Sequence, residues 1–241
     1  QRQQLSGNGN IDMVAAVGQR WGQLRGVGIL RNAAGVPILT ADGLYTPVNN
    51  VDFGSSLPDY TGGVQSAMTV FKNFVININV DYSVGGKYFS LSDFYGNATG
   101  NFKNSAGLND KGVPVREAVS NGGGIHSVGV DATGKVVDVY VEPRYWFEKN
   151  GLLGSNIAET SIRDLTFVKL RELSIGYKLP VERLGIGKYL TSAVFSVVSR
   201  NPWLIYVKQK GFDPSELTNA SGENGQLPGT RSLGVNLKLG F

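Results

Sequence analysis

The chain has no cysteine, a single histidine, and charged residues at only 17% of its 241 positions. The missing cysteine excludes a disulfide framework and any thiolate metal site. Stability must therefore come from a continuous backbone hydrogen-bond ladder or from a partner. With His126 as the sole histidine, a histidine-based triad or cluster has no second member, and its place in a loop near Gly122-Gly123-Gly124 predicts a solvated imidazole. No stretch approaches the roughly 20 apolar residues that a spanning helix requires. Lys and Arg are also never concentrated. The net charge is +4 and the isoelectric point about 9.2, but the basic residues are scattered singly, which excludes a nucleic-acid patch and a polybasic anchor. The opening Gln1-Arg2-Gln3-Gln4-Leu5 has no initiator methionine and no apolar signal core, and reads as a piece whose beginning lies elsewhere.

What the chain does have is glycine, 33 residues, and aromatics at 10%. Its mean hydropathy of −0.09 suits strands in which alternate residues face water. The last residues are the most informative. Leu233, Val235, Leu237, Leu239 and Phe241 fall on one face at a period of two, and Ser232, Gly234, Asn236, Lys238 and Gly240 fall on the other. Chain ends usually fray unless tied down. An alternating strand that runs to a terminal aromatic fits the closing strand of an outer-membrane barrel, with apolar side chains toward lipid and polar ones toward the lumen.

The same period recurs upstream. Ile76, Ile78, Val80, Tyr82 and Val84 alternate with Asn77, Asn79, Asp81 and Ser83 in a strand over 74–84, preceded by a strand over 61–71 and a tight Lys72-Asn73 hairpin. A strand over 164–179 is clean from Leu173 onward. Val168 and Leu170 lie in the opposite phase, which a bulge near Arg171 repairs. Pro180 ends it, residues 181–188 turn, and residues 189–200 form the next strand, whose phase stays open. With residues 12–24, six strands are countable, and residues 135–145 are a candidate hairpin arm. The connections at 72–73 and 180–188 are short, whereas those near 25–60, 85–163 and 201–229 are long and polar. Short and long alternate strictly, and the short ones share the end of Phe241, as in bacterial outer-membrane barrels. Six strands do not close a barrel, because even small ones use about eight, and an open edge in a bilayer leaves backbone groups unsatisfied.

Ordered landmarks then resemble a known family. They are Leu57-Pro58-Asp59-Tyr60-Thr61-Gly62-Gly63-Val64, Lys72-Asn73-Phe74, Tyr82-Ser83-Val84-Gly85-Gly86-Lys87-Tyr88-Phe89-Ser90, the run from Phe167 to Pro180, Ser199-Arg200-Asn201-Pro202-Trp203, Gly211-Phe212-Asp213-Pro214-Ser215-Glu216, and the approach from Pro228 to Val235. Together they resemble the late barrel of SusC-like TonB-dependent transporters. Asn201-Pro202 departs from the family's Asn-Leu pair and is expected to redirect the start of the following outer loop. The resemblance implies an all-β fold: an antiparallel transmembrane β-barrel, of which residues 1–241 are the C-terminal part, in a plugged barrel of about 22 strands with long extracellular loops. The family's plug and TonB box have no counterpart in this sequence.

On that reading the chain is not an enzyme and needs no cofactor or metal. The resemblance implies import of an oligosaccharide or peptide across the outer membrane of a Gram-negative bacterium. Its partners would be the remainder of the barrel and plug, a SusD-like lipoprotein lid, TonB acting through the plug, and the outer-membrane assembly machinery, with no nucleic acid. Leu237, Leu239 and Phe241 resemble the assembly signal. Asn77, Asn79 and Asp81 are expected to face the lumen. Tyr140, Tyr145, Trp146 and Phe147 offer contact area for lid or substrate, or else begin the next strand's membrane girdle. Asp213 and Glu216 read as turn chemistry in Gly211-Phe212-Asp213-Pro214 and not as a catalytic pair. Asn97-Ala98-Thr99 and Asn219-Ala220-Ser221 match the glycosylation pattern by accident. The rival readings are a soluble or surface-exposed glycan-binding β-sandwich and a small autonomous porin.

Overall fold

The computed structural model describes residues 2–7, 10–219, 222, 223, 225 and 227–241. Of the accidental glycosylation triplets, Ala220 and Ser221 lie outside the described residues. The chain is all-β, 49% strand. The strands are β1 (Arg2–Gly7), β2 (Ile11–Ala16), β3 (Gln23–Ile29), β4 (Pro47–Ser55), β5 (Tyr60–Val70), β6 (Phe74–Val84), β7 (Lys87–Ser90), β8 (Ile125–Val130), β9 (Val136–Val141), β10 (Ile162–Asp164), β11 (Phe167–Lys178), β12 (Ser192–Val207), β13 (Gly222–Glu223) and β14 (Ser232–Gly240). Two eight-residue helices, α1 (Leu91–Ala98) and α2 (Pro143–Asn150), are neither long nor apolar enough to cross a membrane.

Two compact units interleave along the chain. The first takes Gln1–Leu57, Lys87–Arg163 and Thr218–Gln226, and the second takes Pro58–Gly86, Asp164–Leu217 and Leu227–Phe241. Inside the first, β1 to β4 form an antiparallel sheet in sequence order, β8 and β9 form a hairpin, and β13 runs parallel to β7. Its core gathers Ile11, Met13, Leu24, Phe89, Phe94 and Ala158. α1 starts where the Ser90 hydroxyl accepts from the Asp93 amide at 3.1 Å, and it buries Phe94 on that core. α2 starts at Glu142, whose carboxylate accepts from the Arg144 and Tyr145 amides at 3.0 and 2.7 Å, with Pro143 in the first turn where its missing N–H costs nothing.

The second unit is an open antiparallel sheet ordered β14-β12-β11-β6-β5. The β5–β6 hairpin turns through Phe71, Lys72 and Asn73, the first two at positive φ (49° and 68°), so the strands keep their twist across a three-residue loop. The register shifts between Leu170 and Glu172 in both pairings of β11, which makes Arg171 the bulged residue. The bulge returns Val168 and Leu170 to the face of Leu173 and Ile175, as the phase change demands. The connections at 71–73 and 179–191 and the chain end at Phe241 all lie at one end of this sheet, because Phe74 pairs with Tyr177, Tyr177 with Phe195, and Ser192 with Gly240.

No sheet closes on itself among the described residues, in line with the expectation that six strands do not close a barrel. Several other expectations are corrected. The expected strand 12–24 is two strands, β2 and β3, separated by a turn, because Gly18 and Gly22 at φ 79° and 74° break it. β12 runs on to Val207 instead of ending at Arg200. Asn201 adopts φ 49° and, with Pro202, drops out of register, so a bulge absorbs the proline's missing donor and the outer loop starts later. The expected long connections are structured: β4 lies within 25–60, and α1, β8, β9 and α2 lie within 85–163. The hairpin arm proposed at 135–145 ends at Val141, and Tyr145, Trp146 and Phe147 lie on α2 and begin no strand.

Candidate functional site

The second unit's sheet separates its residues cleanly by face. Cross-strand registers align Met68, Ile76, Ile175, Val197 and Val235 in one row, and Phe74, Tyr177, Phe195 and Leu237 in another. Val64 and Val80 pair beside Leu170 and Trp203. This apolar face is exposed: Val64 at 61%, Ile175 at 47%, Trp203 at 60% and Val235 at 73% of full accessibility. A water-facing sheet of this size would place such side chains against a second layer. Leu237 and Leu239 belong to the same face of β14, which pairs with β12 on one side only, and Phe241 stands exposed just beyond it.

The opposite face is polar and carries an ion-pair network. Asn77 pairs with Ser174, Asn79 with Glu172, and Asp81 with Lys169, so the three expected lumen-facing residues share this face. Lys169 is 3% exposed, and its Nζ donates to Asp213 Oδ2 (2.8 Å), Ser215 Oγ (3.0 Å) and Glu216 Oε1 (2.6 Å). The bulged Arg171 reaches Asp81 Oδ2 at 2.8 Å and Glu216 Oε1 at 3.3 Å. The Lys169 hydrogen bond, against some burial, holds the Glu216 carboxyl below its ordinary value. Asp213 does cap the short 3₁₀ turn Pro214–Glu216, accepting from the Ser215 amide at 3.0 Å, which agrees with the turn reading. The turn also delivers two carboxylates to one buried ammonium, so all three donors of Lys169 are matched.

In the first unit the geometry around His126 differs from the solvated loop histidine expected. His126 lies on β8 opposite Tyr140 of β9, and the rings stack at 4.6 Å with planes 4° apart. Its Nδ1 meets Asp110 Oδ2 and its Nε2 meets Asp138 Oδ1, both at 2.8 Å. Cluster members therefore do exist, in the form of carboxylates. Tyr140 donates to Asp110 at 2.8 Å, and Lys111 Nζ lies 3.5 Å from the Tyr140 ring centroid. The Asp138 hydrogen bond and then the charge of Asp110 raise the His126 pKa. The Tyr140 hydroxyl and then the His126 charge lower that of Asp110. Both ring nitrogens are engaged, and among the described residues no group of three or more acidic or histidine side chains is arranged to hold a metal ion. The triglycine follows from crowding: Gly122 ends a 3₁₀ turn in the left-handed region, and a Cβ on Gly123 would sit 2.0 Å from the Glu117 carbonyl oxygen.

Beside this cluster lies a cavity of about 370 Å³, walled by α1, α2 and the segment 104–126. Trp146 and Phe147 line it, with Trp146 edge-on to Tyr45 at 5.4 Å and to Phe147 at 5.0 Å. Of the four aromatics expected to form one contact surface, Tyr140 belongs to the His126 stack and Trp146 and Phe147 to the cavity. Tyr145 stays exposed at 39%. The structure thus does not bring the four together. Lys169, Arg171 and the two aspartates flanking His126 were missed, and only the bulge at Arg171 had a signal in the sequence.

The fold defined by these features is an all-β one, built on an open antiparallel sheet with one apolar and one polar face. Solved structures share it across nearly the entire chain: the RagAB peptide importer in its closed-closed state (TM-score 0.56, 14% identity, 99% of this chain and 24% of that one), the RagAB peptide transporter (0.57, 14%, 99% and 24%), and the importer in its open-open state (0.51, 15%, 100% and 28%). At this identity the likeness is one of fold, and the chain spans about a quarter of the length of those it matches. No protein-family profile matches the chain, and no curated protein matches it.

Proposed function

We propose that this chain is part of a TonB-dependent, SusCD-type importer that moves oligosaccharides or peptides across the outer membrane, and that its role is passage and binding without catalysis. The observation that carries this reading is the two-faced sheet. Its apolar face is continuous over five strands and exposed, its polar face is hydrogen-bonded and charged, and its short connections share one end. Hydrocarbon on one side and a hydrated lumen on the other is the environment that suits both faces. The likeness in fold to the RagAB peptide importer supports it.

The unpaired edges of β5 and β14 call for further strands, because open ladder groups in a bilayer cost several kcal/mol each. The rest of the barrel and its plug are therefore the first partners, with TonB acting through that plug. β14, with Leu237 and Leu239 alternating and Phe241 at its end, offers the assembly machinery a strand edge for backbone pairing. On this reading the first unit supplies none of the spanning strands. Exposed Tyr145 is its contact for a SusD-like lipoprotein, and Asn77, Asn79 and Asp81 line the lumen. A glycan-binding sandwich would need a second sheet over the apolar face.

The test is to isolate the native material in mild detergent and to identify each co-purifying polypeptide and the intact mass of this chain by mass spectrometry. Transporter-type barrel and plug sequence, joined to the chain or beside it, together with a lipoprotein is the expected result. Recovery of the chain alone, folded in buffer without detergent, overturns the membrane reading.

A further inference from the structure

A neutral imidazole carries one N–H, and only the imidazolium donates from both nitrogens. His126 meets a carboxylate at each: Asp138 Oδ1 at Nε2 and Asp110 Oδ2 at Nδ1, both at 2.8 Å. An ionised carboxylate only accepts, so the two contacts together call for the charged ring. They do different work. Asp138 lies on β9 of the same hairpin, two residues from the Tyr140 that pairs with His126. Asp110 lies in a separate turn, closed by the Leu108–Pro114 bridge and by Asn109 Oδ1, which accepts from the Lys111 and Val113 amides at 3.0 and 3.1 Å. The proton on Nδ1 thus ties that turn to the hairpin.

The surrounding groups decide which contact a neutral His126 keeps. The charged and titratable side chains around the ring are Asp110 and Lys111 from the turn and Asp138 and Tyr140 from β9. Lys111 is engaged with the Tyr140 ring, 3.5 Å from its centroid. The Tyr140 hydroxyl donates to Asp110 Oδ1 at 2.8 Å. Desolvation and then that bond push its pKa up to about 12, so it remains a donor wherever His126 titrates. Asp110 therefore has a second protein donor, and Asp138 has none among the described residues. The last ring proton stays on Nε2, toward the carboxylate with no other protein donor, and a bare Nδ1 lone pair faces Asp110. Deprotonation thus turns attraction into repulsion on the side of the turn.

We propose that His126 is a proton-operated clasp: protonated, it holds the turn 107–114 against the β8–β9 hairpin, and on losing its proton it loosens that turn while the hairpin persists. Leu108, Asn109 and Asp110 on one side of the clasp and Ile125 and His126 on the other all line the 370 Å³ cavity, so release loosens one part of its wall. The raised His126 pKa, set first by the Asp138 bond, keeps the clasp closed below the ordinary 6.5 and opens it as pH rises through the folded value. A second tie on the turn does not titrate: Asn109 Nδ2 donates to the Gly122 and Gly124 carbonyls at 2.7 and 3.3 Å. The turn therefore loosens about that anchor and does not unfold. The clasp stands on the first unit alone and does not depend on the transport reading.

The experiment is deuterium exchange read by mass spectrometry on the full chain in mild detergent, with whatever polypeptide co-purifies, from acid to alkaline pH. Exchange at the imidazole C2–H of the sole histidine gives its titration midpoint. Amide exchange, corrected for intrinsic rates, gives the protection of the turn. The expected result is a midpoint above 6.5. Through that midpoint the turn should lose protection about two- to fivefold, the range of an exposed ion pair, and more than β8 or β9 loses. His126→Gln has no such proton to lose and should give a flat profile. Asp110→Asn offers an N–H to the neutral Nδ1 while its carbonyl keeps the Tyr140 bond, so it should hold the turn at alkaline pH. The profile of the unaltered chain is a readout that survives if either variant misfolds. A midpoint at or below 6.5, turn protection unchanged through the midpoint, a loss confined to the hairpin, or the same profile in folded His126→Gln would overturn the proposal.

Discussion

The two units of this chain handle apolar side chains in opposite ways. In the first, Ile11, Met13, Leu24, Phe89 and Phe94 turn toward one another, and buried apolar residues are spread from β2 to the segment around Ile157 and Ala158. In the second, the buried apolar residues among those described are Phe167, Val181 and Ala193, while Val64, Ile175, Phe195, Trp203 and Leu237 stand exposed on one face. The first unit builds a conventional core from short elements. The second keeps its buried chemistry polar, around Lys169, and turns its hydrophobic surface outward. On the proposed membrane reading, a chain with one such unit of each kind is adapted to two solvents.

The largest effect should come from the polar side of the second unit. Lys169→Met leaves Asp213 and Glu216 facing each other without an ammonium, and breaking such a buried pair costs about 3–5 kcal/mol. Urea unfolding in lipid vesicles checks this. Because Lys169 holds the Glu216 pKa below its ordinary 4.5, the stabilisation is complete above that value and is lost as pH falls through the lowered folded value. The acid-side loss should vanish in Lys169→Met. If the variant unfolds at the same urea concentration as the parent, the buried network is not what fixes this face.

Next in size is Ile175→Arg at the centre of the apolar face. Facing hydrocarbon, it should cost about 2–4 kcal/mol and lower the folded, membrane-inserted fraction. Asn77→Arg on the polar face, read by the same insertion assay, should change little. Equal tolerance of both would place the apolar face in water and dissolve the contrast between the units.

The smallest effect belongs to the first unit. The raised His126 pKa means that the imidazolium's pairing with Asp138 and Asp110 stabilises the β8–β9 hairpin fully below the ordinary value of 6.5. That contribution is lost as pH rises through the folded value. Amide hydrogen exchange, corrected for intrinsic rates, should show a modest loss of protection at alkaline pH in β8 and β9. His126→Gln should flatten the dependence without touching β11 or β12.

The second unit was largely legible in the sequence, and the first was not, for a physical reason. β6 spans 74–84 as expected, and β5, β11 and β14 start or end within a few residues of their expected bounds, because a two-sided sheet imposes a period of two over nine or more residues. Even the Arg171 bulge was visible, since it repairs a phase error between Leu170 and Leu173. In the first unit most strands last two to seven residues and the helices eight, too short for a period to assert itself, and the nine-residue β4 is interrupted by register shifts against β3. Tyr145-Trp146-Phe147 left a contact surface and the start of a strand both open, and the helix was not read because three adjacent aromatics carry no helical signature and Glu142-Pro143 alone marks its start. The Asp110–His126–Asp138 cluster joins residues 12 and 16 positions apart through a hairpin and a separate turn, a proximity that composition does not encode. Lys169 showed only as one residue of a strand, since its burial depends on a turn 44 residues downstream.

Glu223, from β13, accepts from the Ser90 and Ser92 hydroxyls at 2.9 and 2.6 Å and from the Ser92 amide at 3.0 Å, at the start of α1. That carboxylate lies 133 residues downstream of Ser90. A helix of eight residues is too short to persist by itself, so α1 is held by its core contacts and by this distant clamp. In a chain made from its N-terminus, the clamp is synthesised only after β11 and β12. The unit that begins first is therefore completed late, and truncation anywhere before residue 223 leaves its first helix without the anchor that tells it where to start.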